Sequence, residues 1–128
     1  VYGPRAADEG GFQRSEKPAL FTYVPPKGFK PTDAARLGDG RVLVLNRQFS
    51  MMAGVAAALV LVDPATIQPG AVVHGQEIAR LVPPQAVDNM EGLAVVEKDG
   101  KRWLWLLSDD NFLSIQRTLL LKFELLPD

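Results

Sequence analysis

The sequence predicts an all-β fold, and three observations carry that expectation. Its apolar residues fall in short runs separated by Gly, Pro and Asp-Gly, the pattern of strands and turns. No segment combines a 3.6-residue apolar period with capping residues, although Met51–Leu61 has a composition that would also suit a short helix. Above all, one strand-turn-strand unit occurs twice.

The first copy opens with Pro31-Thr32-Asp33-Ala34-Ala35-Arg36-Leu37 and the second with Asn89-Met90-Glu91-Gly92-Leu93-Ala94-Val95. In this alignment Asp33 matches Glu91, 58 positions later. Each segment then enters a turn, Gly38-Asp39-Gly40 in one copy and Asp99-Gly100 in the other, where Gly supplies the positive φ a tight hairpin needs. A second strand follows: Val42-Leu43-Val44-Leu45 in the first copy, Trp103-Leu104-Trp105-Leu106-Leu107 in the second. Both end in a polar cluster and a Phe, Asn46-Arg47-Gln48-Phe49 and Ser108-Asp109-Asp110-Asn111-Phe112. A repeat a little longer than the usual ~40–50 residues reads as β-propeller blades, each an antiparallel four-stranded sheet.

The remaining elements follow in that frame. Ala56–Val62 is a third strand closed by Asp63-Pro64, and Ala71–Val82 holds a more polar fourth strand ended by Pro83-Pro84. Thr118–Leu125 is the third strand of the second copy. The expected organisation is a loop or hairpin at 1–18, the outer strand of a preceding blade at 19–26, a full blade at 29–84, and a last blade lacking its outer strand at 87–126. That makes about two blades of a partial propeller. A chain that begins at Val1 reads as a mature or excised segment.

Composition narrows the function classes. Apolar residues make up 47% and charged residues 23%, an ordinary globular balance, and the net charge of -1 gives no long-range attraction for nucleic acid. The absence of Cys excludes disulfides, thiolate nucleophiles and zinc-thiolate sites. The single His74 excludes a His-pair metal site within the chain, and it falls on a presumed outer strand, as a surface residue. The longest apolar run, Met51–Val62, is broken by Gly54 and too short to span a membrane. Ser108 and Ser114 lack a G-x-S-x-G context, so a serine-hydrolase mechanism has no support. Trp103, Trp105 and Phe112 read as packing residues.

Asp33 and Glu91 lead the site candidates because both open the innermost strand of a blade, which lines the central channel of a propeller. Such carboxylates suit a hard cation such as calcium, which takes oxygen ligands and can polarise phosphate or carboxylate oxygens. The competing reading has them accept backbone N–H bonds at the channel mouth. Asp109, Asp110 and Asn111 form the densest oxygen cluster. Asp109 and Asn111 share a face if the strand continues, as metal ligands or with Asp109 as a general base; otherwise the cluster is a loop that bonds its own backbone. Arg47 and Arg117 suit bidentate recognition of an anionic substrate, or else an ion pair between blades.

Taken together, Val87–Val95, Leu106–Phe112 and Gln116–Leu121 resemble the C-terminal signature of the esterase-like phytase family. Gly28–Ala34 and Val44–Ser50 are similar to its preceding blade. The resemblance implies the C-terminal part of a propeller domain, possible calcium, a small anionic or ester substrate, and export to the periplasm or beyond in bacteria. It implies a phosphoester or ester hydrolase, with Glu91 and Asp109 as catalytic candidates. The alternative is a non-catalytic propeller, a scaffold or a module that binds a ligand or protein. A last blade without its outer strand has an open edge, which favours self-association; three copies would supply a six-bladed ring.

Overall fold

The computed structural model describes residues 20–51, 54–82, 89–109 and 120–127. They form nine strands: β1 (Thr22–Val24), β2 (Lys30–Arg36), β3 (Val42–Ser50), β4 (Gly54–Val62), β5 (Val72–His74), β6 (Gln76–Leu81), β7 (Asn89–Lys98), β8 (Lys101–Asp109) and β9 (Leu120–Leu125). A single 3₁₀ turn, Pro64–Thr66, is capped by Asp63, whose side chain accepts from the Ala65 N–H. No helix among the described residues is long and apolar enough to cross a membrane.

The architecture is a partial propeller of antiparallel sheets. The first sheet has the order β2-β3-β4-β6 and the second β7-β8-β9. The segment that also suited a helix by composition is split instead, with Gly54–Val62 as the central strand β4. Its small and β-branched residues suit a strand covered on both faces. The β7–β8 hairpin closes on Asp99 and Gly100 at φ 55° and 76°, the two left-handed positions of a type I′ turn. The strand expected within 19–26 is the short β1, and its partner among the described residues is β5, in parallel register from Thr22↔Val72 to Val24↔His74.

Two apolar layers hold the sheets. Side chains alternate along β3, so Leu43 and Leu45 face one way and Val44 and Asn46 the other. Leu43 and Leu45 join Ala57 and Leu59 of β4, Met90 of β7, and Leu104 and Leu106 of β8 in one buried cluster. That cluster is the seam between the blades. Burying a Leu of this kind contributes about 1.5–3 kcal/mol. On the far face of the first sheet, Val44, Val60 and Val62 are covered by Val73 of β5 together with Phe21, Tyr23 and Ile67. The far face of the second sheet carries Trp103 and Trp105, half-buried beneath Lys122, whose ammonium lies 4.4 and 5.1 Å from the two ring centres.

Candidate functional site

The inner strands β2 and β7 run side by side, and side chains at the start of β2 join them. Thr32 Oγ1 donates to the Met90 carbonyl at 3.0 Å. Asp33 Oδ2 accepts from the Leu93 N–H at 2.8 Å, while its Oδ1 accepts from Ala34 N–H at 2.8 Å. Both carboxylate oxygens therefore hold backbone donors.

Each inner strand is bulged near this point. The β2–β3 register slips between Pro31↔Asn46 and Asp33↔Leu45, leaving Thr32 as the extra residue. The β7–β8 register slips between Met90↔Ser108 and Gly92↔Leu107, leaving Glu91 as the extra residue. Ladder position therefore matches Glu91 with Thr32, one place away from the Asp33–Glu91 alignment of the sequence. A bulge re-aims its extra side chain, and Glu91 is exposed, with no hydrogen bond or ion pair among the described residues.

Opposite the bulges lie the buried polar residues Asn46 and Ser108, 0% and 1% exposed. Asn46 is satisfied: its amide donates to the Val44 and Ala58 carbonyls at 3.2 Å each, and its Oδ1 accepts from the Tyr23 hydroxyl at 3.0 Å. Burial pushes the Tyr23 hydroxyl above its ordinary pKa, and the bond to Asn46 pulls it partly back. Arg47 follows Asn46, half-buried, across from Lys30 and Ala57, and holds the same ladder position as Asp109, which pairs with Asn89.

Of the candidates read from sequence, the structure thus puts Asp33, Glu91 and Arg47 near the same end of the blades. The backbone of Asp109 ends β8, but its side chain lies outside the described residues, as do Asp110, Asn111, Ser114 and Arg117. Among the described residues, no group of three or more His, Asp or Glu converges as a metal site would. Carboxylate oxygens are the right donor type for calcium, and Glu91 is exposed whereas both oxygens of Asp33 hold backbone N–H groups.

The family model for phytase-like proteins, described as esterase-like activity of phytase, matches residues 6–112. This chain belongs to the phytase-like family. The matched stretch takes in both bulges and stops short of Arg117. No curated protein and no solved structure matches the phytase-like chain.

Sequence reasoning missed a charged junction at the opposite end of the inner strands. Glu97 Oε2 accepts from the Gly38 N–H at 3.2 Å and from Arg102 Nε at 2.8 Å. Arg102 also donates to Asp39 Oδ2 at 3.0 Å, and Asp39 is held by Arg41 as well. Arg41, the largest influence, together with Arg102, lowers the Asp39 pKa to about 2. The alternation of Glu97, Arg102 and Asp39 in the two turns was the available signal, but only the side-by-side placement of the hairpins makes it a network. Nearby, His74 is exposed on β5 and lines a polar recess with Arg41, Asp63, Thr66 and Gln76.

Proposed function

We propose that the phytase-like chain contributes the channel-facing carboxylate of a hydrolase acting on phosphoester or other ester bonds, with Glu91 as the residue that carries its chemistry. The observation behind this reading is the bulge: it leaves Glu91 exposed and uncommitted at the mouth of the inner strand, in the stretch that matches the family model. Calcium, when bound, would supply charge to polarise the ester oxygens. Glu91, with Asp109 and Asn111, would hold that ion through their side-chain oxygens, and Arg47 would meet the anionic substrate. Asp33 orients the site by tying β2 to β7. Export to the periplasm or the medium belongs to the same reading.

A second reading, a non-catalytic propeller that binds a ligand or protein, is favoured by one observation. Both oxygens of Asp33 are taken by backbone N–H groups, as in a purely structural junction. Calcium separates the two. Hydrolysis of p-nitrophenyl phosphate and p-nitrophenyl acetate should require calcium and cease in EDTA, and Glu91→Gln should abolish it with the melting curve unchanged. Hydrolysis and melting temperature that both ignore calcium would remove the calcium-dependent reading, and no hydrolysis of either ester with calcium present would remove the hydrolase reading.

A further inference from the structure

Between β5 and β6 the chain changes sheets. β5 pairs with β1, whereas β6 joins β4 with Gln76 across from Leu61. Gly75 makes the crossing, so close over β4 that a Cβ there would stand 2.6 Å from the Leu61 carbonyl oxygen. Beside the crossing lies a recess of about 440 Å³, at the end of the blade opposite the bulges and Glu91. Small-molecule sites occupy roughly 300–1,000 Å³. The ladder pairs Val42 with Val62, which brings the next residues outward, Arg41 and Asp63, to the same end of the sheet. His74 and Gln76 enter from either side of Gly75, Thr66 comes from the 3₁₀ turn, and Leu61 gives an apolar wall.

The groups lining the recess decide what fits it. Arg41 brings a guanidinium that Asp39 already holds, through Nε at 3.0 Å and Nη2 at 2.9 Å. Asp63 brings a carboxylate. Its Oδ1 accepts from the Ala65 N–H at 2.9 Å, and its Oδ2 has no hydrogen bond among the described residues. The Thr66 hydroxyl donates to the Asp63 carbonyl at 2.7 Å, so its lone pairs face outward as acceptors. The side chains of His74 and Gln76 hold no partner among the described residues, and each can both donate and accept. We propose that this recess binds a neutral sugar, a monosaccharide unit whose hydroxyls bond Asp63, His74 and Gln76 while a C–H face lies on Leu61.

Charged ligands suit the place less well. A phosphate dianion meets the Asp63 carboxylate, and its natural partner Arg41 is engaged by Asp39. An amine meets Arg41. A sugar hydroxyl both donates and accepts, and a vicinal pair matches the planar carboxylate or amide in the bidentate way that a single charge cannot use. No aromatic ring lines the recess among the described residues, so hydrogen bonds carry the affinity and the dissociation constant should be about millimolar. The proposal does not depend on the ester chemistry placed at Glu91.

The test follows backbone amide shifts by NMR in the whole 128-residue chain. The probes are the methyl glycosides of glucose, mannose and galactose, with sodium phosphate and ethylammonium chloride in separate titrations. At least one glycoside should give saturable shifts confined to Arg41, Leu61, Asp63, Thr66 and the stretch from His74 to Gln76. His74→Ala and Gln76→Ala remove exposed side chains and should each weaken that binding about tenfold with the melting curve unchanged. The proposal is overturned if no glycoside shifts these amides, if the shifts scatter over the surface without saturating, or if both substitutions leave the affinity as it was. It is overturned equally if phosphate or ethylammonium shifts the same amides at lower concentration than any glycoside.

Discussion

Asp33→Ala separates a structural junction from a metal ligand. The substitution removes two acceptors at once, for Leu93 N–H across the blades and for Ala34 N–H beside it, both at 2.8 Å. A hydrogen bond to a charged acceptor contributes about 1.5–3 kcal/mol, and the freed Leu93 donor is part-buried, whereas the exposed Ala34 donor can turn to water. The loss therefore comes to about 2 kcal/mol, which for a domain of this size is a fall in melting temperature of roughly 5–10 °C. Asp33→Asn keeps one acceptor oxygen and should cost about half as much. Urea unfolding followed by the fluorescence of Trp103 and Trp105 measures both, and should be run with calcium and again with EDTA. A double-mutant cycle with Thr32→Val should show coupling, because Thr32 bonds Met90 at the same junction. The reasoning fails if Asp33→Ala changes stability by less than about 0.5 kcal/mol, or if the deficit appears only when calcium is present.

Three further outcomes follow from the packing and the charges. Tyr23→Phe strips the fully buried Asn46 Oδ1 of its hydroxyl donor and should cost about 1–2 kcal/mol in urea unfolding. Gly75→Ala puts a methyl 2.6 Å from the Leu61 carbonyl oxygen and against Val60, so about 1–3 kcal/mol should be lost at the entry to β6, read as faster amide exchange in that strand. Asp39 has its pKa lowered from 3.8 to about 2, so the stability it contributes is present above pH 4 and is lost as pH falls toward 2. Asp39→Asn should flatten that part of the acid-unfolding curve, and added salt should shrink the difference because the group is exposed.

The strands were legible wherever one side chain in two had to be buried or one turn demanded a left-handed residue. The Val42–Leu45 and Trp103–Leu107 runs and the Asp99-Gly100 turn announced themselves in this way. The bulges did not. An extra residue at Thr32 or Glu91 leaves the alternation on either side intact, so sequence alignment matched Asp33 with Glu91 although the ladders match Thr32 with it. The split between β5 and β6 at Gly75 was also hidden, because Ala71–Val82 reads as one polar edge strand until the close approach to Leu61 is seen. Side-chain partners were the least legible. Arg102 meets Asp39 across 63 positions, and Tyr23 meets Asn46 across 23, pairings that only the packing of separate hairpins creates.

The two inner strands are pinned at both ends, by Thr32 and Asp33 at one and by Glu97, Arg102 and Asp39 at the other. A pair of plates fastened at a single point can open like a book; fastened at two, it keeps a fixed dihedral. In a ring of such plates that dihedral decides how many complete the circle. One fastening is built from half-buried hydrogen bonds and the other from exposed charges, so ionic strength acts chiefly on the second. The wedge between the blades should therefore tilt with salt before it separates.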